Sequence, residues 1–415
     1  MSRVTIVGGG LTGILAAFEA HRLGLGDIHL HERFDDLGGV ARADVRHGVE
    51  LREGCVYFGP PGDPIRDQLE AHGVAFEDFD NRFGAVSPTR DGQARWVEDF
   101  GGPVLDGASL SIMPPGGASL ADRLAAYSGE LRGPLEAYVR WHLGPELNDL
   151  HASAAVPLAI NRVFPLGADL SALAALKRSD ALADALFAIP RSLWGRTDNL
   201  TAATPEGGFA AMFETCRRSL RDLGVTLHTG DLISPRHALL THRPGEVLVW
   251  AASPTPLFKA TGLPTPRALP KRFATYVYGV DWSGPCPFYV QNFTATGACF
   301  RAYIYSSGGR TLLTAECVAE VGDADLRVEV ARLLSGFEGQ LKVGQMLAAT
   351  VKPRWIYHTL EAIAGLVQLR ATLAERFGPD FVCGAWEPYA KAEKFAEINA
   401  ALAATLRPAE TAAAA

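Results

Sequence analysis

The stretch from Val4 to Gly13 restricts the fold of this chain more than any other. Val4-Thr5-Ile6-Val7 is β-branched and uncharged, the mark of a short buried strand. Gly8, Gly10 and Gly13 follow as G-x-G-x-x-G, with Leu11 and Thr12 inside the motif, and Ile14 to Ala20 reads as a helix. A second strand, Asp27-Ile28-His29-Leu30-His31, ends on Glu32. Gly8 permits a tight turn out of the strand, and Gly10 lets a pyrophosphate approach the backbone with no Cβ in the way. Gly13 lets the helix pack close on the strand. The helix N-terminus adds free N–H groups and the positive end of its dipole. Glu32 falls where an acidic side chain binds ribose hydroxyls. A purely structural glycine turn would explain the turn alone. Strand, turn, helix, second strand and acid in this order point to a bound dinucleotide.

Just past the acid, the run Glu32-Arg33-Phe34-Asp35-Asp36-Leu37-Gly38-Gly39-Val40-Ala41-Arg42 carries a glycine pair. With the preceding motif, it resembles the FAD-binding start of the flavoprotein group that holds amine oxidases, protoporphyrinogen oxidases and UDP-galactopyranose mutases. The resemblance implies FAD, with the backbone from Gly38 to Ala41 against the cofactor and Arg42 at its phosphates. It also implies contacts from Arg33, from the turn at Tyr57 and Phe58, and from Leu232 and Ala251. Near the C-terminus it adds Gly384, Ala385, Tyr389 and Phe395.

The chain has 415 residues, enough for two or three domains, and a formal net charge of −7, which argues against a nucleic-acid partner. Its six cysteines are scattered with no C-x-x-C pair and its eleven histidines show no ligand spacing, so no metal site is expected. No window is apolar enough for a membrane span, and Gly8 to Gly10 break the first apolar run, which speaks against a secretory leader. The expectation is a cytoplasmic protein acting on a small molecule; a homo-oligomer is compatible with this reading.

Downstream, helical spacing runs from Pro64 to His72, and short strands are expected at 74–79, 83–86 and 94–97. From Ser119 to Phe187, helix formers predict an insertion of three or four helices. A helix at 210–223, strands at 225–228 and 246–252, and four antiparallel strands between Leu269 and Val321 follow. A strand at 380–384 and a closing helix complete the chain. The predicted class is α/β: a Rossmann-type FAD-binding domain with a mixed central sheet, a helical insertion and an antiparallel β-sheet substrate domain. The expected boundaries are 1–100, 205–265 and 350–410 for the discontinuous cofactor domain, 105–204 for the insertion and 266–349 for the substrate domain.

The order Lys352-Pro353, helix, Asp380 to Gly384, Tyr389 and closing helix is similar to that of the UDP-galactopyranose mutases. Two departures stand out. Ala385 occupies the place where the mutases carry a diphosphate-binding arginine, and the turn from Gly54 to Gly59 lacks their histidines. A methyl group cannot replace a bidentate guanidinium. Catalytic candidates are Arg301, to hold a carboxylate or phosphate, or else a surface strand residue. Tyr303, Tyr305 and Tyr357 are candidates for an aromatic cage, or else core tyrosines. Lys352 corresponds to the flavin-proximal lysine of amine oxidases, or else is solvated. The resemblance implies an FAD-dependent oxidoreductase passing hydride from a small amine, amino acid or sugar-derived substrate to flavin N5. The chain has no second G-x-G-x-x-G for a nicotinamide. The alternatives are a non-redox mutase acting on a nucleotide sugar and a flavin-binding protein without catalysis.

Overall fold

The computed structural model describes residues 3–53, 57–144, 146–189 and 201–406. As the opening motif predicts, β1 (Val4–Val7), α1 (Leu11–Arg22) and β2 (Ile28–Glu32) follow in order. β1 is the central strand of a five-stranded sheet. β2 and the Thr226–Thr229 strand lie on one side, and the Val247–Trp250 and Phe381–Cys383 strands on the other. Every pairing in this sheet is parallel. Antiparallel pairs lie in a second, larger sheet and in two two-stranded sheets.

A parallel sheet must be covered on both faces. Val4, Ile6, Ile28 and Leu30 share one core with Ile14 and Phe18 of α1, Phe213 of the Gly208–Asp222 helix and Ile398 of the closing Lys391–Ala404 helix. On the other face, Val7, Leu248 and Trp250 pack with residues of the Thr255–Thr261 and Leu360–Phe377 helices. The strand order reverses between β1 and its neighbour Val247–Trp250. Ligand crevices in such sheets open at that switch point, beyond the carboxyl ends of the strands. Gly8 and Ala251 occupy that position.

The second sheet has seven strands, in the order Leu341–Tyr357, Leu269–Trp282, Arg310–Cys317, Cys299–Ser307, Phe288–Asn292, Arg82–Pro88 and Ala94–Glu98. The last two, expected as short strands, pair antiparallel with each other and extend this sheet. The Leu341–Tyr357 strand was not visible in the sequence because Gly344 and Pro353 interrupt its pattern. It is an edge strand, where proline is tolerated.

The two faces of this sheet differ. On the back, Ala274, Tyr276, Val290, Ile304, Leu313 and Ala315 form a core with Leu326 and Val330 of the Asp323–Leu334 helix. The front has two covers. At one end, Phe273, Phe300 and Tyr357 pack with Tyr138 of the insertion helix Gly129–Leu143. At the other, Val277, Tyr303, Tyr305 and Leu312 pack with Val49 and Leu51.

Candidate functional site

The glycine turn is built from three close approaches. Gly8 has φ +110°, open only to glycine in practice, and a Cβ there would lie 3.0 Å from the backbone N of Ala252. A Cβ on Gly13 would stand 1.9 Å from the Gly8 carbonyl oxygen, so the protein's own packing forbids any side chain. Gly10 is different. Its φ of −73° suits any residue, and a Cβ would meet only the Gly39 Cα, at 3.7 Å. Among the described residues, nothing else comes within 4 Å of that position.

α1 starts at this turn with no side-chain cap and no acid in its first turn. Its N-cap therefore offers the leading N–H groups no side-chain acceptor. Gly38 and Gly39 close against the turn: the Gly38 N–H donates to the Gly9 carbonyl at 2.8 Å, and Gly38 bridges Gly10. The ridge beyond is exposed, and Val40 is fully so (107%). Arg33 and Arg42 flank the Phe34 ring, at 4.5 and 4.9 Å from its centroid.

Glu32 is buried and accepts from the Gly9 N–H at 2.7 Å and the Phe34 N–H at 3.0 Å. Its carboxylate locks the end of β2 to the glycine turn, and its remaining lone pairs are available to hydroxyls. The Asp231 N–H donates to the Glu32 carbonyl, which sets the exposed Leu232 beside this corner.

The C-terminal candidates complete the rim. A Cβ on Gly384 would lie 2.5 Å from the Trp250 carbonyl oxygen, so the strand exit passes tight against the switch point. Ala385 is wholly buried in the main core with φ +50°. The Tyr389 hydroxyl accepts from the His358 N–H at 2.8 Å and donates to the Ile356 carbonyl at 2.9 Å. It ties the end of the long edge strand to the start of the closing helix. Two lysines that the sequence reading missed begin that helix. Lys391 donates to the Tyr57 carbonyl and lies over the Phe58 ring. Lys391 and Lys394 line a cleft with Leu11, Thr12, Phe395 and Asn399. Their i,i+3 spacing in an expected helix was the available signal. Burial lowers the Lys394 pKa, opposed by Glu397.

The catalytic candidates fall in different surroundings. Gln291, Arg301, Glu316, Thr275 and Thr350 are mutual neighbours in register across five adjacent strands. They form one polar row on the front face, between its two apolar covers. Arg301 pairs with buried Glu316; burial opposes its charge, but Glu316 and Tyr289 raise its pKa well above the usual value. Gln291 donates to the Tyr138 hydroxyl of the insertion at 2.9 Å and accepts from Tyr289 at 2.7 Å. Tyr357 lies 3.1 Å from His142 Nε2 in the insertion interface, and burial pushes its pKa up. Tyr303 stacks on Tyr305 under the residue 49–51 strand. Lys352 is half exposed and pairs with Glu53, which also accepts from Thr350 at 3.1 Å. Arg301 and Tyr357 thus belong to the insertion side, and Tyr303 and Lys352 to the side of residues 49–53. Of the expected flavin-side turn, Gly54, Cys55 and Val56 lie outside the described residues.

The fold is that of a Rossmann-like domain joined to a second, largely antiparallel sheet. Residues 6–70 match the family described as NAD(P)-binding Rossmann-like domain. Among solved structures, reduced UDP-galactopyranose mutase superposes with a TM-score of 0.67 at 16% identity, over 100% of this chain and 98% of that one. A redesigned putrescine oxidase gives 0.57 at 14% identity, over 97% and 98%. Cyclohexylamine oxidase from Brevibacterium oxydans IH-35A gives 0.56 at 13% identity, over 97% and 98%. At these identities the likeness is one of fold. A comparison with curated protein sequences finds no match. Among the described residues, no helix is long and apolar enough to cross a membrane.

Proposed function

We propose that the chain is an FAD-dependent oxidoreductase acting on a small polar substrate, such as an amine, an amino acid or a sugar derivative. The observation that carries the reading is the polar row Gln291–Arg301–Glu316–Thr275–Thr350, set between two apolar covers on the sheet's front face. A sheet built only for packing would be apolar there, as its back face is. The cofactor rim joins that face through residues 49–53 and through the Tyr389 bridge.

Gly8 to Gly13 and the start of α1 would take the pyrophosphate, and Glu32 a ribose. The 38–42 ridge, Tyr57, Phe58, Leu232, Ala251, Gly384, Ala385, Tyr389 and Phe395 would complete the cradle. The room at Gly10 fits that assignment. When bound, FAD supplies a hydride acceptor at N5. On the front face, the buried Arg301 guanidinium, already charge-paired with Glu316, would orient a substrate carboxylate. Lys352 and Glu53 offer a cation and a carboxylate at the opposite edge. Tyr138, Tyr357 and the insertion helices exclude water, which strengthens these interactions.

The test is anaerobic mixing of the purified protein with amines, amino acids and nucleotide sugars. Bleaching of a bound flavin by one class supports the reading. Ring contraction of a nucleotide sugar by the reduced protein with no net oxidation overturns it in favour of mutase chemistry. Purified protein carrying NAD(P) and no flavin overturns the cofactor assignment.

A further inference from the structure

Outside the cofactor rim, strand pairing assembles a group of side chains that sequence spacing hid. Along β2, Ile28, Leu30 and Glu32 are buried, while His29 and His31 alternate onto the opposite face. The neighbouring strand pairs in parallel with Leu227 opposite Leu30 and His228 opposite His31. Three imidazoles therefore gather at the edge of the sheet. One nitrogen from each lies within 4.8 Å of the other two, and His29 Nδ1 is 2.9 Å from His228 Nε2.

We propose that His29, His31 and His228 form a three-histidine site for a zinc-type divalent cation, with a fourth position open to water. The outer contacts support this assignment. His29 Nε2 meets Asp27 at 3.0 Å and His31 Nδ1 meets Asp231 at 2.8 Å. A carboxylate that accepts one ring N–H fixes the tautomer, raises the basicity of the ring and leaves its other nitrogen as a lone-pair donor. That leaves His29 Nδ1 and His31 Nε2 as ligands, alongside His228 Nε2. Both carboxylate-paired imidazoles are largely shielded, with side chains 15% and 12% exposed.

Tetrahedral zinc at about 2.0–2.1 Å from each nitrogen needs ligands roughly 3.3–3.4 Å apart. The His29–His228 pair must open slightly. The His31 and His228 rings, now stacked at 4.2 Å between centroids, must tilt to aim their lone pairs at one point. The bound ion would clip the edge strand Thr226–Thr229 to β2, two segments distant in sequence.

The test is calorimetric titration of the metal-stripped full-length chain with zinc chloride. One ion per chain is expected, with a rise in melting temperature. His228→Gln should weaken binding at least 100-fold. Asp231→Asn should weaken it roughly 10–100-fold while keeping all three ligands. His237→Gln, on an exposed helix, should change nothing. Circular dichroism confirms folding, and Asp231→Asn decides the case if His228→Gln fails to fold. Absence of saturable one-to-one binding, or equal affinity in wild type and Asp231→Asn, overturns the proposal.

Discussion

Gly39 lies so close to Gly10 that a Cβ on Gly39 would stand 3.0 Å from the Gly10 Cα, whereas a Cβ on Gly10 would find 3.7 Å of room. The two glycines of this contact thus answer to different demands. Gly39 also has φ +57° and serves the chain itself. Gly10 has no such packing demand and, on the proposed reading, serves the cofactor's phosphates. Gly10→Ala should therefore fold normally while losing cofactor affinity by about 1–3 kcal/mol, roughly 10–100-fold, through overpacking of the phosphate seat. Gly13→Ala, blocked by the Gly8 carbonyl, should instead lose about 3 kcal/mol or more of stability. Denaturation curves beside flavin absorbance separate the two. Equal flavin occupancy in Gly10→Ala and wild type would refute the assignment.

Glu32 holds two backbone N–H groups in a buried corner. Glu32→Ala leaves both without acceptors and should cost about 1–3 kcal/mol in stability, together with weaker cofactor retention. Glu32→Gln keeps an amide oxygen as acceptor and should recover part of the loss. A Glu32→Ala protein as stable as wild type in urea would contradict the corner as described.

Removing one member of the Arg301–Glu316 pair strands a buried charge. Arg301→Ala should destabilise by about 3–5 kcal/mol, and Arg301→Ala with Glu316→Ala should be less destabilised than the sum of the singles. A double-mutant cycle measures the coupling. Additive effects would mean that the two side chains do not act as a pair.

His142 gives a pH dependence with a definite sign. Burial first, then Arg301 and Lys271, holds its pKa well below the usual value, so the native ring is neutral. In the unfolded chain it takes a proton near pH 6.5. Its contribution is therefore complete above about pH 6.5 and is lost as pH falls toward the lower native pKa. The loss is up to about 1.4 kcal/mol per pH unit. His142→Gln should remove that slope while retaining a partner for Tyr357. Urea midpoints between about pH 5.5 and 7.5 compare the two, and parallel curves would rule out His142 as the source.

The legible part of the protein was the part whose contacts are local. Gly8 to Gly13 and Glu32 sit within one βαβ unit, so spacing alone placed the turn and the acid at adjoining strand ends. The pair Arg301–Glu316 needed the register of two strands, and Tyr357 with His142 joins positions far apart in the chain. Those partners could not be read from either residue's neighbours. Arg301 was expected to choose between a substrate anion and solvent; the sheet instead gives it Glu316. The three histidines were overlooked because two alternate on one strand and the third arrives from the far side of the insertion.

The strand exit at Ala385 bears on how such proteins diverge. Its side chain is enclosed with Val249, Val382 and Ile398 at a left-handed backbone angle. An arginine placed there would drive a guanidinium into hydrocarbon. Descent between this chain and one with a phosphate-gripping arginine at that point therefore cannot run through a single substitution. The turn must first be rebuilt so that the residue points outward. That rebuilding separates this enclosed strand exit from one that turns a cation outward, within one architecture.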